Sequence, residues 1–562
     1  MLSSNSAARR LVEALVARGI DTFFGIPGGP ICPIFEAIRV TTGARLVESR
    51  HETSAAFAAT LYYKSSGRVP AVVVTAGPGA TNVVTGVTSA YLERAPMLVI
   101  VGDVAWATTG NRLAQDTGLE GINIETMLAP VTRTQVRASH SRSVVAQAMA
   151  AVDSACELQG PSLFVLPLDH AMGECPYMEI LPGFKPGIKS PETEDVTRAL
   201  KLLREAIRPL VVVGAGCRES TVSVRRMLDN LDIPFVTTPR AKGIGSENHP
   251  NSLRNGGLAA SVWAQKYTEH PVDVCLVLGT DLDDSSIGPT RYCSGDGTLI
   301  HVDTDSRVFG RNMPTKLGIV ADVESFANLI ALKASKYPAR HSRDAIQLVK
   351  GSEPFQSFVS GEDQIHPAEA LINLQDGFPT ARFITDIGEH MLFAMHYLTA
   401  DMPDDFHIEL NLGSMGSGIA GSIGMAMGNS ERPVICIAGD GGMQMCGMES
   451  LVAIKEKLPI LFVVFNDGRY NMVHHGMRQI FGEAEQYGTV PIDFSIWASS
   501  FGLKSKVVKT ISDIDYDAIR SVLNAREPYL LDVRIDPSAH MSGGGRIAAL
   551  QRMSMANTVG TK

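Results

Sequence analysis

What this chain lacks narrows its class before any motif is weighed. No apolar run reaches the roughly 18 residues that a membrane span needs. The start, Ser6-Ala-Ala-Arg-Arg-Leu-Val-Glu-Ala-Leu-Val, reads as an amphipathic helix without the apolar core of a secretion signal. Eight cysteines are scattered along the chain and no Cys-x-x-Cys occurs, which argues against a disulfide framework and a structural zinc site. Basic charge is also short: a net charge of −9 argues against a general nucleic-acid binder. No short-period repeat is present. The cytoplasm is the expected compartment.

What is there fits large packed cores. The 562 residues are 45% hydrophobic and 19% charged, and at about 150 residues per domain they allow three or four domains. Apolar strand candidates fall in three blocks. The first has Ala71 to Thr75, Met97 to Gly102 and Ser162 to Leu168. The second has Pro209 to Gly214, Ile233 to Thr237, Val272 to Gly279 and Thr298 to Asp303. The third has Arg382 to Asp386, Val434 to Ala438, Pro459 to Asn466 and Tyr529 to Ile535. Continuous Val/Ile/Leu runs indicate strands buried on both faces, hence parallel sheets with helices between them. The expected fold class is α/β with three doubly wound parallel-sheet domains, the first and third being candidate copies of one plan. Polar or Pro/Gly-bearing linkers are expected over 174–191 and 337–366.

The segment Gly439 to Met472 carries the strongest chemical signal. Gly439-Asp440-Gly441 closes one apolar strand, and Asn466-Asp467-Gly468 closes the next, 27 positions after Asp440. Two carboxylates at neighbouring strand tips suit a hard divalent cation bridged to a diphosphate, although an ordinary α/β unit with acidic loop tips would look the same. Glu52 opens a helix whose following residues are small or apolar. Such a wall would desolvate a catalytic carboxyl, while a plain first-turn glutamate favoured by the helix dipole would read identically. Gly25-Ile-Pro-Gly-Gly-Pro30 and Thr75-Ala-Gly-Pro-Gly-Ala-Thr-Asn82 are tight turns near strand ends. Neither Gly413-Ser-Met-Gly-Ser-Gly418 nor Val212-Val-Gly-Ala-Gly216 completes a dinucleotide fingerprint.

In order and spacing these elements resemble one family over nearly the whole length: thiamine diphosphate (ThDP)-dependent enzymes related to acetohydroxyacid synthase (acetolactate synthase), pyruvate oxidase and benzoylformate decarboxylase. The resemblance rests on Gly-x-Pro-Gly-Gly at 25–29, Arg-His-Glu at 50–52, Gly-Pro-Gly-Ala-Thr-Asn at 77–82, Gly-Pro-Ser-Leu-Phe-Val-Leu-Pro at 160–167, Ile-Gly-Glu-His at 387–390, Gly-Ser-Met-Gly at 413–416 and the 439–472 segment. It implies a pyrimidine-binding domain over 1–172, a middle domain over 190–338, a diphosphate-binding domain over 362–545 and a tail over 546–562.

The resemblance also implies roles. Glu52 matches the glutamate that hydrogen-bonds N1′ of the aminopyrimidine, promoting the tautomer whose 4′ nitrogen takes the thiazolium C2 proton. Met415 matches the residue that props the cofactor in a V shape, and Gly413 offers its carbonyl to the 4′ amino group. Asp440, Asp467 and the backbone carbonyl of Arg469 are the implied Mg²⁺ ligands, with Asn466 as fallback; the family usually carries Asn where Asp467 stands. Gly388, Glu389, His390, Gly441, Gly442, Tyr470, Asn471 and Met472 complete the implied cofactor site, Glu389 standing where the synthases commonly have Gln.

Gln115 matches a catalytic pocket glutamine of the synthases. Ala114 and Gly476 stand where the synthases carry Phe and the Trp that selects 2-oxobutyrate, and Gly28, His474 and His475 are further pocket candidates, the histidines as acid/base groups. The expected activity is therefore a ThDP- and Mg²⁺-dependent carboligase: it decarboxylates a 2-oxo acid, pyruvate by resemblance, and transfers the acyl unit to a carbonyl acceptor other than 2-oxobutyrate. Two alternatives are a non-oxidative decarboxylase of a bulky 2-oxo acid and a regulatory paralogue that binds ThDP without turnover. FAD is not expected, because Gly279-Thr-Asp-Leu-Asp-Asp284 puts acidic residues where flavin phosphates favour cations. The family's site lies between subunits, which implies a homodimer or homotetramer. No nucleic-acid or membrane partner is expected.

Overall fold

The computed structural model describes residues 2–541 apart from 119, 181–186, 289, 294, 336–343, 360, 362, 363 and 486; the expected tail over 546–562 lies outside the described residues. Three six-stranded, wholly parallel sheets organise the chain. The first contains β1 (Thr22–Gly25), β2 (Arg45–Glu48), β3 (Ala71–Val74), β4 (Met97–Asp103), β5 (Gln135–Arg137) and β6 (Pro161–Pro167), in the order β2-β1-β3-β4-β6-β5. The second contains β7 (Pro209–Val213), β8 (Phe235–Thr237), β9 (Ser252–Asn255), β10 (Val274–Leu278), β11 (Thr298–Asp303) and β12 (Leu317–Val320), in the order β12-β11-β10-β7-β8-β9. The third contains β13 (Arg382–Thr385), β14 (Phe406–Ile408), β15 (Val434–Gly439), β16 (Ile460–Asn466), β17 (Lys504–Val508) and β18 (Tyr529–Arg534), in the order β14-β13-β15-β16-β18-β17.

This is the three-fold doubly wound α/β architecture expected from the buried runs. Counted from its own first strand, the third sheet repeats the order of the first, while the middle sheet has a different order, that of dinucleotide-binding folds. Central strands coincide with the Val/Ile runs because both faces are covered by helices: β4, β6 and β16 are buried at every residue. Edge strands carried no such signal. In β12 and β17 exposed and more buried residues alternate, so no continuous apolar run marks them. One linker expectation is corrected. Within 337–366 lies a helix, Asp344–Lys350, whose Ile346 and Val349 are buried in a core of the middle unit with Tyr267 and Val272.

The first and third units meet along helices Glu52–Ser66 and Ser417–Gly428. Helix Glu52–Ser66 begins at the His51 N-cap, whose ring nitrogen accepts from Thr53 N at 3.2 Å, and ends at Gly67 in the left-handed conformation. Its Ala55, Ala56, Ala58 and Ala59 are small, and so are Gly418, Ala420, Gly421 and Gly424 opposite. A side chain at Gly424 would overlap the Ala58 carbonyl, and one at Gly421 would meet Leu61. The small residues of 417–424 therefore serve helix packing rather than a dinucleotide phosphate. Among the described residues no helix is long and apolar enough to cross a membrane, and all eight cysteines are free thiols.

Candidate active site

Parallel strands place all carboxyl ends on one side of each sheet, and crevices open where the strand order reverses. In the third sheet the reversal lies between β13 and β15. A cavity of about 230 Å³ opens there, lined by Gly388, Glu389 and His390 beyond β13, by Gly413 and Met415 on the loop before helix Ser417–Gly428, and by Asp440, Gly441 and Gly442 after β15. Asp467, Arg469, Tyr470, Asn471 and Met472 line it after β16. Every residue expected at the cofactor in this unit thus borders one cavity.

The backbone is shaped for something to lie here. A Cβ on Gly441 would sit 2.5 Å from the Tyr470 ring and 3.2 Å from the Met415 methyl, and one on Gly388 would sit 2.6 Å from the His390 ring. Asp386, unweighed in the sequence, accepts from Gly416 N at 2.9 Å and Gly418 N at 3.0 Å and so fixes the two ends of the Met415 turn. Burial pushes its carboxyl up to about 6 against those amides. Gly442 has no side chain because Asp386 Oδ2 occupies that space. The Asp that closes the run Arg382 to Asp386 was the available signal for it.

Buried polar atoms without protein partners border the cavity: His390 Nε2 and Asn471 Oδ1. Burial pushes His390 down to about 4, leaving a neutral imidazole. Asp440 and Asp467 face one another electrostatically. Burial raises Asp440, and burial followed by the charge of Asp440 pushes Asp467 up to about 7. Two desolvated carboxylates, one of them raised further by the other, are a donor set that a hard cation would relieve. Asp440 Oδ2 already accepts from Thr489 Oγ1 at 2.5 Å, so its other oxygen is the better metal ligand. Asn466 turns away from the cavity, donating to Asp532 Oδ1 at 2.9 Å and Ile492 O at 3.1 Å. Among the described residues no group of three His, Cys, Asp or Glu side chains could hold a metal, so a cation at the acid pair would take its further oxygen from an amide or hydroxyl side chain, the backbone or water. The cavity, its unpartnered atoms and the acid pair fit a diphosphate with a divalent cation.

The first sheet reverses between β1 and β3, and its crevice holds the other predicted residues. Glu52 is buried and accepts from Asn82 Nδ2 at 3.0 Å. A Cβ on Gly79 would meet Thr75 and, at 3.4 Å, Glu52 Oε1; one on Gly28 would meet Thr75; one on Gly77 would meet Gln115 at 3.0 Å. Glu52, Gly28, Thr75, Gly77, Gly79, Asn82 and Gln115 therefore form one contiguous group. Ala114 and Gln115 are exposed on a loop pinned by Asp103, whose Oδ1 accepts from Thr117 N at 3.0 Å while Arg137 binds its other oxygen. Gln115 itself is held with φ at 64°.

Of the remaining pocket candidates, His474 is buried with Nδ1 2.9 Å from Glu485 O. His475 lies 3.8 Å from Glu389 and its ring 5.3 Å from that of His540. Neither histidine lines the cavity. Gly476 is buried four residues beyond Met472 on the helix Asn471–Phe481, hence on the same face. Among the described residues, the cavity takes its lining wholly from residues 367–539, so this chain's Glu52 group and Asp440 group do not share it.

Two crevices with this division of residues, on two sheets of one plan, define a cofactor-dependent α/β enzyme. Comparisons with known proteins name the class. Residues 5–124 match the family described as thiamine pyrophosphate enzyme, N-terminal TPP binding domain. Residues 196–330 match its central domain and 386–533 its C-terminal TPP binding domain. The chain is 29% identical to the probable acetolactate synthase large subunit of Methanocaldococcus jannaschii, over 96% of this chain and 94% of that protein. It is 28% identical to the acetolactate synthase large subunit of Parasynechococcus marenigrum (94% and 87% covered), and 29% identical to the acetolactate synthase of Mycobacterium bovis (86% and 79% covered). The chain belongs to the thiamine diphosphate-dependent enzymes of the acetohydroxyacid synthase type.

Proposed function

We propose that this acetolactate synthase-like enzyme is a carboligase that decarboxylates a 2-oxo acid, with pyruvate as the favoured donor, and passes the acyl unit to a carbonyl acceptor other than 2-oxobutyrate. The observation that carries the acceptor reading is the small Gly476 on the face that Met472 presents to the cavity. Bound thiamine diphosphate supplies the electron sink for the carbanion left by decarboxylation. Glu52, oriented by Asn82, holds the proton at N1′ of the aminopyrimidine. The Gly413 carbonyl would accept from the 4′ amino group, and Met415, on the cavity wall, would support the bound cofactor. Asp440, Asp467 and the Arg469 carbonyl would hold Mg²⁺, and the unpartnered atoms of His390 and Asn471 would be available on the diphosphate side. Gln115 would orient the substrate carbonyl, with Gly28 and Ala114 near it.

In this reading the pyrimidine-binding domain spans 1–172, the middle domain 190–338 and the diphosphate domain 362–545. A second copy of the chain completes each site, bringing its Glu52 group to the Asp440 cavity. Exposed apolar side chains near both groups support that pairing: Leu113 near Gln115 in the chain, and Tyr470 and Val473 on the cavity wall. Incubation with ThDP, Mg²⁺ and a panel of 2-oxo acids, with carbon dioxide and products measured, tests the proposal. Acyloin or acetohydroxy acid products are expected. Aldehyde alone would select the decarboxylase reading, and acetohydroxybutyrate as the preferred product would remove the acceptor proposal.

A further inference from the structure

Glu449 belongs to the third unit but is bound to the first. It ends the turn Gly447–Glu449, which continues directly from helix Asp440–Cys446, and its side chain is buried at 3% exposure. Its Oε1 accepts from Arg50 N at 3.0 Å and from His51 N at 3.1 Å. Those two residues immediately precede Glu52, and His51 is the N-cap of Glu52's helix. The surrounding pairs between the same segments, Arg45 with Glu456 and Lys455 with Glu48, are more exposed and correspondingly weak. A buried carboxyl taking two backbone donors is different in kind: without it both amides lose their protein partner at a part-buried contact. Burial pushes Glu449 up to about 7, and in either protonation state Oε1 can accept both bonds.

We propose that Glu449 is a positioning residue: by holding the backbone of Arg50 and His51 it sets the direction in which Glu52 presents its carboxyl to the aminopyrimidine. The proposal rests on the reading of Glu52 as the N1′ partner. Asn82 then fixes the Glu52 carboxyl from one side, and Glu449 fixes its backbone from the other. Nothing in the 50–52 segment does this locally, since the His51 side chain is spent on capping Thr53.

The test compares Glu449→Ala, Glu449→Gln and Glu449→Asp. Hydrogen exchange at the Arg50 and His51 amides is followed in cofactor-free protein, and C2 deuterium exchange in bound ThDP is followed together with ThDP affinity. Loss of two hydrogen bonds to a carboxyl should speed amide exchange and slow C2 exchange by about tenfold or more in the alanine variant, with ThDP affinity nearly unchanged. Gln retains the carbonyl acceptor and should restore both rates, a rescue that a charge-dependent role would not give. Should alanine prevent folding, Asp decides: its shorter reach should slow C2 exchange, and a wild-type rate would overturn the proposal. Wild-type C2 exchange in Glu449→Ala, or a Gln variant as slow as alanine, overturns it equally. Glu52→Gln separates the two readings. If it stops C2 exchange while Glu449→Ala does not slow it, only the positioning role falls; if it leaves exchange intact, the Glu52 reading falls with it.

Discussion

The first and third sheets share a strand order and a crevice, yet their acids behave in opposite ways. In the first crevice one carboxyl, Glu52, is buried beside a neutral amide donor, Asn82. In the third, Asp440 is buried and Asp467 half-buried beside it, and after burial the charge of Asp440 raises Asp467 further. A single buried acid with one donor is held in one orientation. A pair of acids, one raising the proton affinity of the other, is equipped to be neutralised by a cation. The scaffold fixes where the acids stand; the next few residues after each strand decide what they can do.

The largest expected break in this comparison comes from Glu52→Gln. It keeps the shape and the Asn82 contact but removes the proton carrier, and should lower kcat by about 10²-fold or more, the usual scale for general acid–base loss. Steady-state turnover with the best 2-oxo acid checks this, with circular dichroism confirming the fold.

Asp467→Asn tests the other crevice in metal-free protein. The Asp467 carboxyl is raised from 3.8 to about 7, so the folded state binds its proton more tightly than the unfolded state does. Its contribution to stability is therefore fullest below about pH 4 and falls as pH rises through about 7. At roughly 1.4 kcal/mol for each tenfold gain in proton affinity, the loss is at most on the order of 4 kcal/mol. Denaturant titrations between pH 4 and 8 should show a steeper decline for the wild type than for Asp467→Asn, and saturating Mg²⁺ with ThDP should reduce the difference. Identical pH profiles without metal would remove the acid-pair argument.

The seam between the two units is next. Gly424→Ala puts a methyl into the Ala58 carbonyl, and should cost about 1–3 kcal/mol by overpacking, read as a lowered denaturation midpoint. The smallest effect is expected from Arg45→Ala, which removes the half-exposed pair with Glu456 on the same seam. Less than about 1 kcal/mol should be lost, and high salt should mask it.

How much was legible beforehand varied with the kind of signal. Central strands such as β4 and β16 could be read because burial on both faces leaves a continuous apolar run. Edge strands such as β12 and β17 could not, because a half-exposed strand alternates. The residues around the third crevice were found through a resemblance spread over many short motifs, and they converge on one cavity. Asp386 and Glu449 were missed for a common reason. Each acts through backbone amides distant in sequence, Gly416 and Gly418 for one and Arg50 and His51 for the other, and backbone amides leave no compositional mark. His474 and His475 show the reverse: their sequence position suggested a pocket role, but neither lines the cavity, and His474 instead meets the Glu485 carbonyl.

By itself the sequence determined the three α/β units, the absence of long apolar runs and the motif order that places this chain among thiamine diphosphate-dependent enzymes. The first two reside in local composition and periodicity and the third in short motifs that resemble a known family; none needs a partner segment to be read. Only the tertiary structure decided that the first and third sheets share one strand order, that burial and the charge of Asp440 raise the proton affinity of Asp467, and that Glu449 reaches across the seam to the amides before Glu52. Those depend on distances between segments far apart in the chain, and packing against the rest of the fold sets such distances.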